Sequence, residues 1–180
     1  MEFPLTTVVF NAKDISRAIT RITHEILEKN KGASNLALVG IRTRGVALAQ
    51  RIKNKINSIE NTEVDFGILD ITLYRDDLGS GKFNTVVEKT NISFPLDGKK
   101  IVLIDDVLFT GRTIRSAIDA LIDFGRPSII QLGVLIDRGH RELPIRPDYV
   151  GKNIPTSKDN RVQVLLREED GVDEVRITDN

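Results

Sequence analysis

Apolar positions along the chain follow two patterns, one with helical spacing and one of short continuous runs. From Asn11 to Gly32, apolar residues recur every three or four positions while charged residues fall on the other faces, which predicts an amphipathic helix. Asn11 and, three residues later, Asp14 are suited to cap its start. Gly45–Ile56 and Thr113–Phe124 have the same helical period. The sequence therefore predicts three helices, each with one apolar face.

Short apolar runs separate these helices. Leu36–Ile41 is apolar throughout, which is typical of a strand covered on both faces. Further runs rich in β-branched and aromatic residues predict strands at Val64–Tyr74, Lys100–Asp105, Ile129–Ile136, Tyr149–Ile154, Val162–Leu166 and Val175–Thr178. Arg75–Val86 carries Asp, Gly, Ser and Asn with few apolar residues, so it is predicted to be a mobile loop.

The order of these elements indicates the fold class. After the first helix, the chain runs strand, helix, strand, loop, strand, helix, strand. Right-handed crossovers between such strands give an α/β fold, with a mostly parallel twisted sheet and helices on both faces. A length of 180 residues, of which 40% are hydrophobic, is suited to one domain spanning residues 1–180.

The composition excludes several classes of protein and site. Lys plus Arg and Asp plus Glu both total 26, which excludes a globally basic nucleic-acid coat protein but leaves a local basic patch open. The absence of cysteine excludes disulfides and thiolate sites, and two histidines are too few for a histidine-rich metal site. The chain starts without a signal-peptide pattern, and no apolar run approaches the roughly 20 residues of a membrane span. We therefore expect a cytoplasmic protein with no membrane segment.

Polar segments follow three of the predicted strands. They are Arg42–Gly45, Asp105–Thr113 and Asp137–Arg141. The carboxyl ends of parallel strands lie at one edge of a sheet, and open α/β sheets bind their ligands at that edge. The three segments are therefore expected to converge on one site.

The second of these segments has the most specific chemistry. Two adjacent carboxylates, Asp105 and Asp106, end a buried strand, and a loop containing Thr110, Gly111 and Thr113 leads directly into a helix. Glycine permits close backbone approach, threonine hydroxyls donate hydrogen bonds, and the helix N-terminus offers free N–H groups. The loop is therefore suited to a monophosphate. The carboxylates suit the hydroxyl groups of a sugar attached to that phosphate.

Four segments carry a resemblance to a known family. Val102–Ile114 resembles the phosphoribosyl-pyrophosphate (PRPP) motif of type I phosphoribosyltransferases. Asp70–Asp77, Asp137–Arg146 and Tyr149–Ser157 narrow the resemblance to bifunctional regulators of pyrimidine operons that are also uracil phosphoribosyltransferases. The resemblance extends over roughly residues 11–157 and implies the type I phosphoribosyltransferase fold, with a flexible hood loop at about residues 74–95.

The resemblance implies a role for each polar segment. Asp105 and Asp106 would hold the ribose hydroxyls of PRPP and, with Arg44 of the pyrophosphate loop, are the expected catalytic residues. The residues expected to bind PRPP or the nucleotide are Arg42, Thr43, Arg44, Asp105, Asp106, Val107, Leu108, Phe109, Thr110, Gly111, Arg112, Thr113 and Asp137. Mg²⁺ is the expected cofactor, held mainly by PRPP and water with no strong direct protein ligand. Uracil is the expected acceptor, placed near Leu132–Asp137, and UMP is the expected product.

The resemblance also implies that the chain binds RNA, namely the leader mRNA of a pyrimidine operon, in response to uridine nucleotides. The expected RNA contacts are Thr20, Arg21, His24, His140, Arg141, Arg146, Lys152 and Thr156. Positive charges in such a surface contact phosphates, while hydroxyl groups read unpaired bases. Arg141 is expected to serve RNA alone, so that its loss spares uracil transfer. A homodimer or higher homo-oligomer is also implied.

Other interpretations stay open at this point. A uracil-salvage phosphoribosyltransferase without RNA binding would explain the PRPP motif equally well. A purine phosphoribosyltransferase is less favoured, because such enzymes tend to have a carboxylate at the position of Phe109, where the resembling regulators commonly have Tyr. An interaction module without chemistry would leave the carboxylate pair and the phosphate loop unexplained.

Overall fold

The computed structural model of the protein describes residues 5–74 and 90–179. Its elements in chain order are β1 (Thr6–Phe10), α1 (Ala12–Asn30), β2 (Leu36–Ile41), α2 (Arg44–Glu60), β3 (Asp65–Leu69), a 3₁₀ turn (Thr72–Tyr74), β4 (Lys100–Leu108), α3 (Arg112–Phe124), β5 (Ile129–Asp137), β6 (Tyr149–Asn153), β7 (Arg161–Leu165), α4 (Arg167–Asp170) and β8 (Glu174–Thr178).

Five parallel strands form the central sheet, in the order β3-β2-β4-β5-β6. Successive residues of β2 and β4 face opposite sides of this sheet. Leu38 and Val102 are buried in the core with α1 and α2, whereas Val39 and Leu103 are buried in the core with α3. The predicted α/β fold, with a parallel sheet and helices on both faces, is confirmed.

Helix α1 begins at the predicted cap. The Asn11 side chain accepts a hydrogen bond from the Asp14 amide at 3.0 Å, and the Asp14 carboxylate accepts one from the Asn11 amide at 3.1 Å. This reciprocal pair satisfies two backbone donors that have no partner within the helix. At the other end, Lys31 and Gly32 both have left-handed backbone conformations, with φ of 57° and 100°. The Gly32 amide donates to the Leu27 carbonyl at 2.8 Å, so the predicted stop at Gly32 closes the helix.

The two strands that carry the site carboxylates differ from their predicted lengths. Strand β3 ends at Leu69, because Asp70 accepts hydrogen bonds from the amide of Thr72 at 2.9 Å and from its hydroxyl at 2.5 Å. This local turn directs the chain out of the sheet. Strand β4 instead continues past Asp105 to Leu108, because its residues stay paired with β5. Asp105 and Asp106 are consequently part of a strand and not of the loop after it.

A second, smaller sheet packs beside the first. It has three antiparallel strands in the order β1-β8-β7, and neither β1 nor α4 is predicted from the sequence. Phe10, Val164 and Val175 of this sheet are buried in the same core as α1 and α2. Most of the predicted hood loop, residues 75–89, lies outside the described residues. Within residues 5–74 and 90–179, no helix has both the length and the apolar character needed to cross a membrane.

Candidate active site

A cavity of about 380 Å³ opens at the carboxyl edge of the central sheet. The ends of β2, β3 and β4 form it, and this edge is where parallel α/β sheets bind ligands. Its lining residues are Ile41, Arg42, Thr43, Asp70, Ile71, Thr72, Asp105, Asp106, Val107 and Thr113. The structure therefore brings together residues from two of the three polar segments, and it adds Asp70 and Thr72.

The carboxylates of Asp105 and Asp106 lie within β4 at the floor of this cavity. Each accepts a hydrogen bond from the next backbone amide, Asp105 from Asp106 at 2.9 Å and Asp106 from Val107 at 2.8 Å. Burial, followed by the charge of Asp106, raises the pKa of Asp105 well above its ordinary value. Burial also raises the pKa of Asp106, although the Val107 amide and the charge of Arg44 act against this. The two adjacent carboxyl groups are thus largely buried at the edge of an open, polar cavity.

The loop between β4 and α3 surrounds a second cavity, of about 350 Å³. Residues 107–114 line it together with Glu142. Gly111 precedes the first residue of α3 and has φ of 93°, a left-handed conformation that favours glycine. The carbonyl of Thr110 accepts hydrogen bonds from the amides of Glu142 and Leu143 at 2.9 and 3.3 Å, which fix the loop from outside. The result is a fixed turn at a helix N-terminus, which is suited to phosphate.

The three residues of the predicted pyrophosphate loop, residues 42–44, do not all face the same cavity. Arg42 and Thr43, which are joined by a cis peptide bond, line the first cavity. Arg44 begins α2 and does not line that cavity. Its guanidinium donates two hydrogen bonds to the carboxylate of Asp170 in α4, at 3.0 and 2.7 Å. Arg44 was predicted from the sequence as a catalytic residue, but its partner in the structure is a carboxylate about 126 residues away in the chain.

A third cavity, of about 430 Å³, lies beyond the end of β5. Residues 137–141 line one side of it, and Asn153, Pro155 and Thr156 line the other. Arg138 is buried, and its guanidinium lies 4.1 Å from the centre of the Phe109 ring while donating to the Thr156 hydroxyl at 3.1 Å. Burial lowers the pKa of Arg138. Phe109 of the phosphate loop is thus packed against the segment that follows β5.

Arg141 connects the phosphate loop to the end of β5. Its guanidinium donates to the carboxylate of Asp137 at 2.6 Å and to the carbonyls of Ile145 and Phe109 at 2.9 and 3.0 Å. All three acceptors belong to the segments predicted to bind nucleotide or to the turn beside them. Arg141 therefore cross-links segments that are predicted to bind nucleotide, and its expected contact with RNA stays a prediction.

One contact joins the elements that carry the two groups of predicted RNA-contacting residues. Arg21 of α1 donates to the carbonyls of Val150 and Gly151 in β6, at 3.1 and 2.6 Å, directly beside Lys152. Lys152 is exposed and its amino group lies 5.1 Å from the centre of the Phe10 ring. The ring of His140 hydrogen bonds to the Thr156 carbonyl at 2.5 Å. Of the remaining members, Thr20 donates to the Ser16 carbonyl at 2.9 Å, and His24 and Arg146 are exposed.

Four residues near the site have no role in the sequence-based prediction, namely Asp70, Thr72, Glu142 and Asp170. Asp70 follows a predicted strand, so the rule that ligands bind at strand ends could have found it. Glu142, which accepts from the Arg112 guanidinium at 2.7 Å, directly follows the polar segment at the end of β5 and could have been included with it. Asp170 comes from a distant part of the chain, and no local pattern marks it. Among residues 5–74 and 90–179, no group of three or more His, Asp or Glu side chains is arranged to hold a metal ion by itself.

Comparison with known proteins identifies the family. Residues 7–168 match the phosphoribosyl transferase domain family. The chain is 61% identical over 171 residues to the bifunctional protein PyrR of Acetivibrio thermocellus, covering 95% of this chain and 93% of that protein. It is 54% identical to the protein of the same name from Deinococcus deserti, covering 99% and 97%. The chain belongs to the PyrR family.

Solved structures agree with the fold of a PyrR family member. A hypoxanthine-guanine phosphoribosyltransferase of Bacillus anthracis superimposes with a TM-score of 0.69 at 14% identity, covering 96% of this chain and 97% of that chain. A hypoxanthine phosphoribosyltransferase of Staphylococcus aureus gives a TM-score of 0.65 at 22% identity, covering 84% and 79%. At these identities the likeness concerns the fold alone. The predicted type I phosphoribosyltransferase fold and the predicted family are confirmed.

Proposed function

We propose that this chain transfers the phosphoribosyl group of PRPP to uracil, giving UMP and pyrophosphate, and that it also regulates pyrimidine gene expression by binding RNA. Membership of the PyrR family supports this bifunctional role. The observation that carries the enzymatic half is the adjacency of two cavities at one sheet edge. One holds the carboxylates of Asp105 and Asp106, and the other is the loop around Gly111 at the start of α3.

Each cavity fits one part of PRPP. The Gly111 loop receives the 5′-phosphate, because its amides and the α3 N-terminus direct partial positive charge into the cavity. Asp105 and Asp106, which precede this loop in the chain, accept hydrogen bonds from the ribose hydroxyls. Arg42 and Thr43, across the first cavity, face the pyrophosphate. PRPP would therefore extend along the edge from the start of α3 to the start of α2.

Transfer displaces pyrophosphate from the anomeric carbon of ribose by N1 of uracil. Positive charge develops on the sugar ring in the transition state, as it does in glycoside hydrolysis. The buried carboxylate pair lies beside that ring, in a low-dielectric environment where its stabilising effect is strong. No side chain of the cavity has to act as an obligate base.

The carboxylates of the first cavity also fit Mg²⁺, which the family resemblance implies. Asp70, Asp105 and Asp106 are hard oxygen donors that line one cavity, although they do not form a complete metal site by themselves. The ion would be held chiefly by PRPP and water, with these carboxylates around it. When bound, Mg²⁺ neutralises the charge that develops on the departing pyrophosphate.

Phe109 favours a pyrimidine over a purine acceptor. Its ring is packed between the guanidinium of Arg138 and the ring of His140, whose centre is 6.0 Å away in an edge-on arrangement. An apolar ring cannot accept the hydrogen bond that a purine N–H would donate to a carboxylate at this position. Uracil would instead be read by backbone groups near the end of β5.

The enzymatic proposal is tested by measuring pyrophosphate release from PRPP with Mg²⁺, with uracil, hypoxanthine or guanine as acceptor. We expect turnover with uracil and little with the purines. In Asp106→Asn the rate should fall by about 10²–10³, the scale of one lost electrostatic contact to a transition state. Asp119→Asn, on the exposed face of α3, is the matched control and should leave the rate unchanged. A preference for a purine would contradict the assignment of the acceptor.

The contact between α1 and β6 supports the proposed RNA-binding function. Arg21 bonds to two carbonyls of β6, which brings α1, with the exposed His24, against the strand that contains the exposed Lys152. A protein with no net charge can bind RNA through such a local patch. The leader transcript of a pyrimidine operon is the proposed partner, which places the function in the cytoplasm. Assembly into a homodimer or higher oligomer would repeat this surface.

RNA binding is tested by titrating the chain with its leader transcript at several salt concentrations. Lys152→Ala should weaken binding and reduce the slope of log affinity against log salt by about one, because one phosphate contact is lost. Arg115→Ala removes an equally exposed cation from α3, on the other face of the sheet, and should have no effect. A transcript that does not bind would leave the uracil-salvage enzyme as the function.

A further inference from the structure

The ion pair between Arg44 and Asp170 joins the pyrophosphate loop to the smaller sheet. Both oxygens of Asp170 accept from the guanidinium, at 3.0 and 2.7 Å, and the pair is largely shielded from solvent, with 34% and 17% of the side chains exposed. The Leu166 amide also donates to Asp170 at 2.8 Å and fixes the carboxylate in place. This two-point geometry is the strongest form of a guanidinium–carboxylate contact.

The contact occupies a cation that a pyrophosphate group would otherwise attract. Arg44 directly follows Arg42 and Thr43, which line the first cavity, yet its own side chain points to α4. A guanidinium presents the same fork of N–H groups to a carboxylate and to a phosphate. Asp170 therefore satisfies the donors that pyrophosphate would use, and Arg44 cannot fully serve both.

We propose that Asp170 is a positioning residue that competes with pyrophosphate for the guanidinium of Arg44. The inference rests on the proposed function, because it takes the pyrophosphate site to lie at residues 42–44. When PRPP or pyrophosphate occupies the cavity, Arg44 exchanges its carboxylate partner for phosphate oxygens. When pyrophosphate leaves, Asp170 recaptures Arg44. The ion pair thereby weakens the hold of the site on its product.

A separate ion pair keeps α4 in place during this exchange. Arg51, two turns further along α2, donates to Glu168 at 2.8 and 2.5 Å and to Asp173 at 3.1 and 2.7 Å. These contacts do not involve Arg44, so the helix stays docked when Arg44 turns away. Asp170 is then available at the same position to take the guanidinium back.

The proposal is tested by titrating the full chain with Mg²⁺–pyrophosphate in a calorimeter at fixed ionic strength. Asp170→Asn keeps an acceptor for the Leu166 amide but removes the charge that holds Arg44. We expect it to bind pyrophosphate about 3- to 10-fold more tightly, the scale of one partly buried ion pair. Asp119→Asn, which removes the charge of an exposed carboxylate on α3 far from this contact, should leave the affinity unchanged.

A second comparison separates competition from simple repulsion between two negative groups. In an Arg44→Ala background, Asp170→Asn should have no effect on pyrophosphate affinity, because the shared guanidinium is gone. An equal gain in both backgrounds, or unchanged or weaker binding in Asp170→Asn alone, would overturn the proposal. Asp170→Ala serves as a second variant with the same expectations. If the wild-type chain does not bind pyrophosphate at all, the proposed function itself fails, and that outcome is distinct from the others.

Discussion

Asp105 and Asp106 occupy a part of the sheet where a negative charge opposes folding. Strand β4 is covered on both faces, and only backbone amides of the next residues donate to the two carboxylates among the bonds described. A ligand that supplies hydroxyl groups and a cation would offset the destabilising effect of the two buried carboxylates. The same burial that makes the pair effective toward an oxocarbenium-like sugar therefore makes the ligand-free protein less stable.

This conflict predicts that Asp105→Asn stabilises the ligand-free protein. A carboxyl group whose pKa is raised in the folded state stabilises that state below its unfolded pKa, near 4, and the stabilisation is lost as the pH rises through the folded pKa. At pH 7 the variant should unfold with a higher free energy than the wild type, by about 1–3 kcal/mol, the usual cost of a buried polar group whose hydrogen-bonding needs are not met. Urea unfolding at pH 7 measures the difference.

The same variant should lose most of its uracil transfer, and the gain in stability should shrink toward pH 4, where the wild-type carboxyl is protonated. Asp119→Asn is the control, because that carboxylate is 56% exposed on α3 and should show neither effect. A variant that is less stable than the wild type at pH 7 would contradict the argument from burial.

Arg141 yields a second prediction at this scale, and it differs from the expectation based on sequence. Its guanidinium bonds to Asp137 and to the Phe109 carbonyl, so Arg141→Ala should disturb the nucleotide site as well as the RNA surface. A charged hydrogen bond contributes about 1.5–3 kcal/mol, so we expect UMP affinity to fall by about 10- to 100-fold. Arg146→Ala, at an exposed position nearby, should leave UMP affinity intact. Both variants are titrated with UMP. A loss of UMP affinity in Arg141→Ala alone supports its role as a cross-link, and unchanged affinity would mean that Arg141 is only a surface contact.

Residue types were predictable from the sequence, but their partners were not. The carboxylate pair and the Thr110–Thr113 loop are local patterns whose chemistry is evident from adjacent letters. Arg44 and Arg141 were also found, yet the partner of Arg44 is Asp170, which the folding of a separate sheet brings within reach. Local spacing contains no information about such a contact.

At the scale of elements, the prediction succeeded where an apolar pattern decides the structure. The three helices and the buried strands of the central sheet have strong periodicity, and all are present. The boundaries of β3 and β4 were wrong because local hydrogen bonds decide them. The Asp70 turn ends β3 early, and pairing with β5 extends β4 through two charged residues. Strand β1 lacks a distinctive pattern and forms by pairing with β8 at the opposite end of the chain.

The start of α2 lies so close to the sheet that side chains have no room at Gly40 and Gly45. A Cβ atom at Gly45 would lie 2.5 Å from the carbonyl oxygen of Ile104, directly before the carboxylate pair of β4. An alanine normally stabilises a helix relative to glycine by about 0.5–1 kcal/mol. Here we expect the opposite sign, because the first turn of α2 would have to move away from β4.

Gly45→Ala should therefore destabilise the protein by about 1–3 kcal/mol, the usual range for overpacking in a core, and should raise the KM for PRPP by displacing Arg42 and Thr43. Thermal unfolding and initial rates at several PRPP concentrations measure the two effects. Ser58→Ala, on the exposed end of the same helix, is the control with neither effect. Normal stability together with a normal KM would show that the helix has room to accommodate the methyl group.

At the scale of the whole molecule, the proposed nucleotide site and the proposed RNA surface share the turn after β5. Asp137 ends β5 beside the proposed uracil position, and it accepts hydrogen bonds from the Gly139 amide at 3.0 Å and from Arg141 at 2.6 Å. His140 and Arg138 of the same turn bond to Thr156, on the proposed RNA surface. A nucleotide that contacts Asp137 must therefore rearrange or fix the turn that supports Thr156.

This connection predicts that UMP strengthens RNA binding. Binding free energies are coupled reciprocally, and such coupling is typically about 1–3 kcal/mol, or about 5- to 150-fold in affinity. Affinity for the leader transcript, titrated with and without saturating UMP at one salt concentration, should rise by a factor in this range, and RNA should raise the affinity for UMP by the same factor.

Arg146→Ala should bind RNA more weakly yet respond to UMP by the wild-type factor, because it does not touch the turn. Arg141→Ala, measured at UMP concentrations that saturate it, should lose most of the response. If UMP does not change the RNA affinity of the wild-type chain, the turn after β5 does not couple the two binding sites, and the two functions are independent.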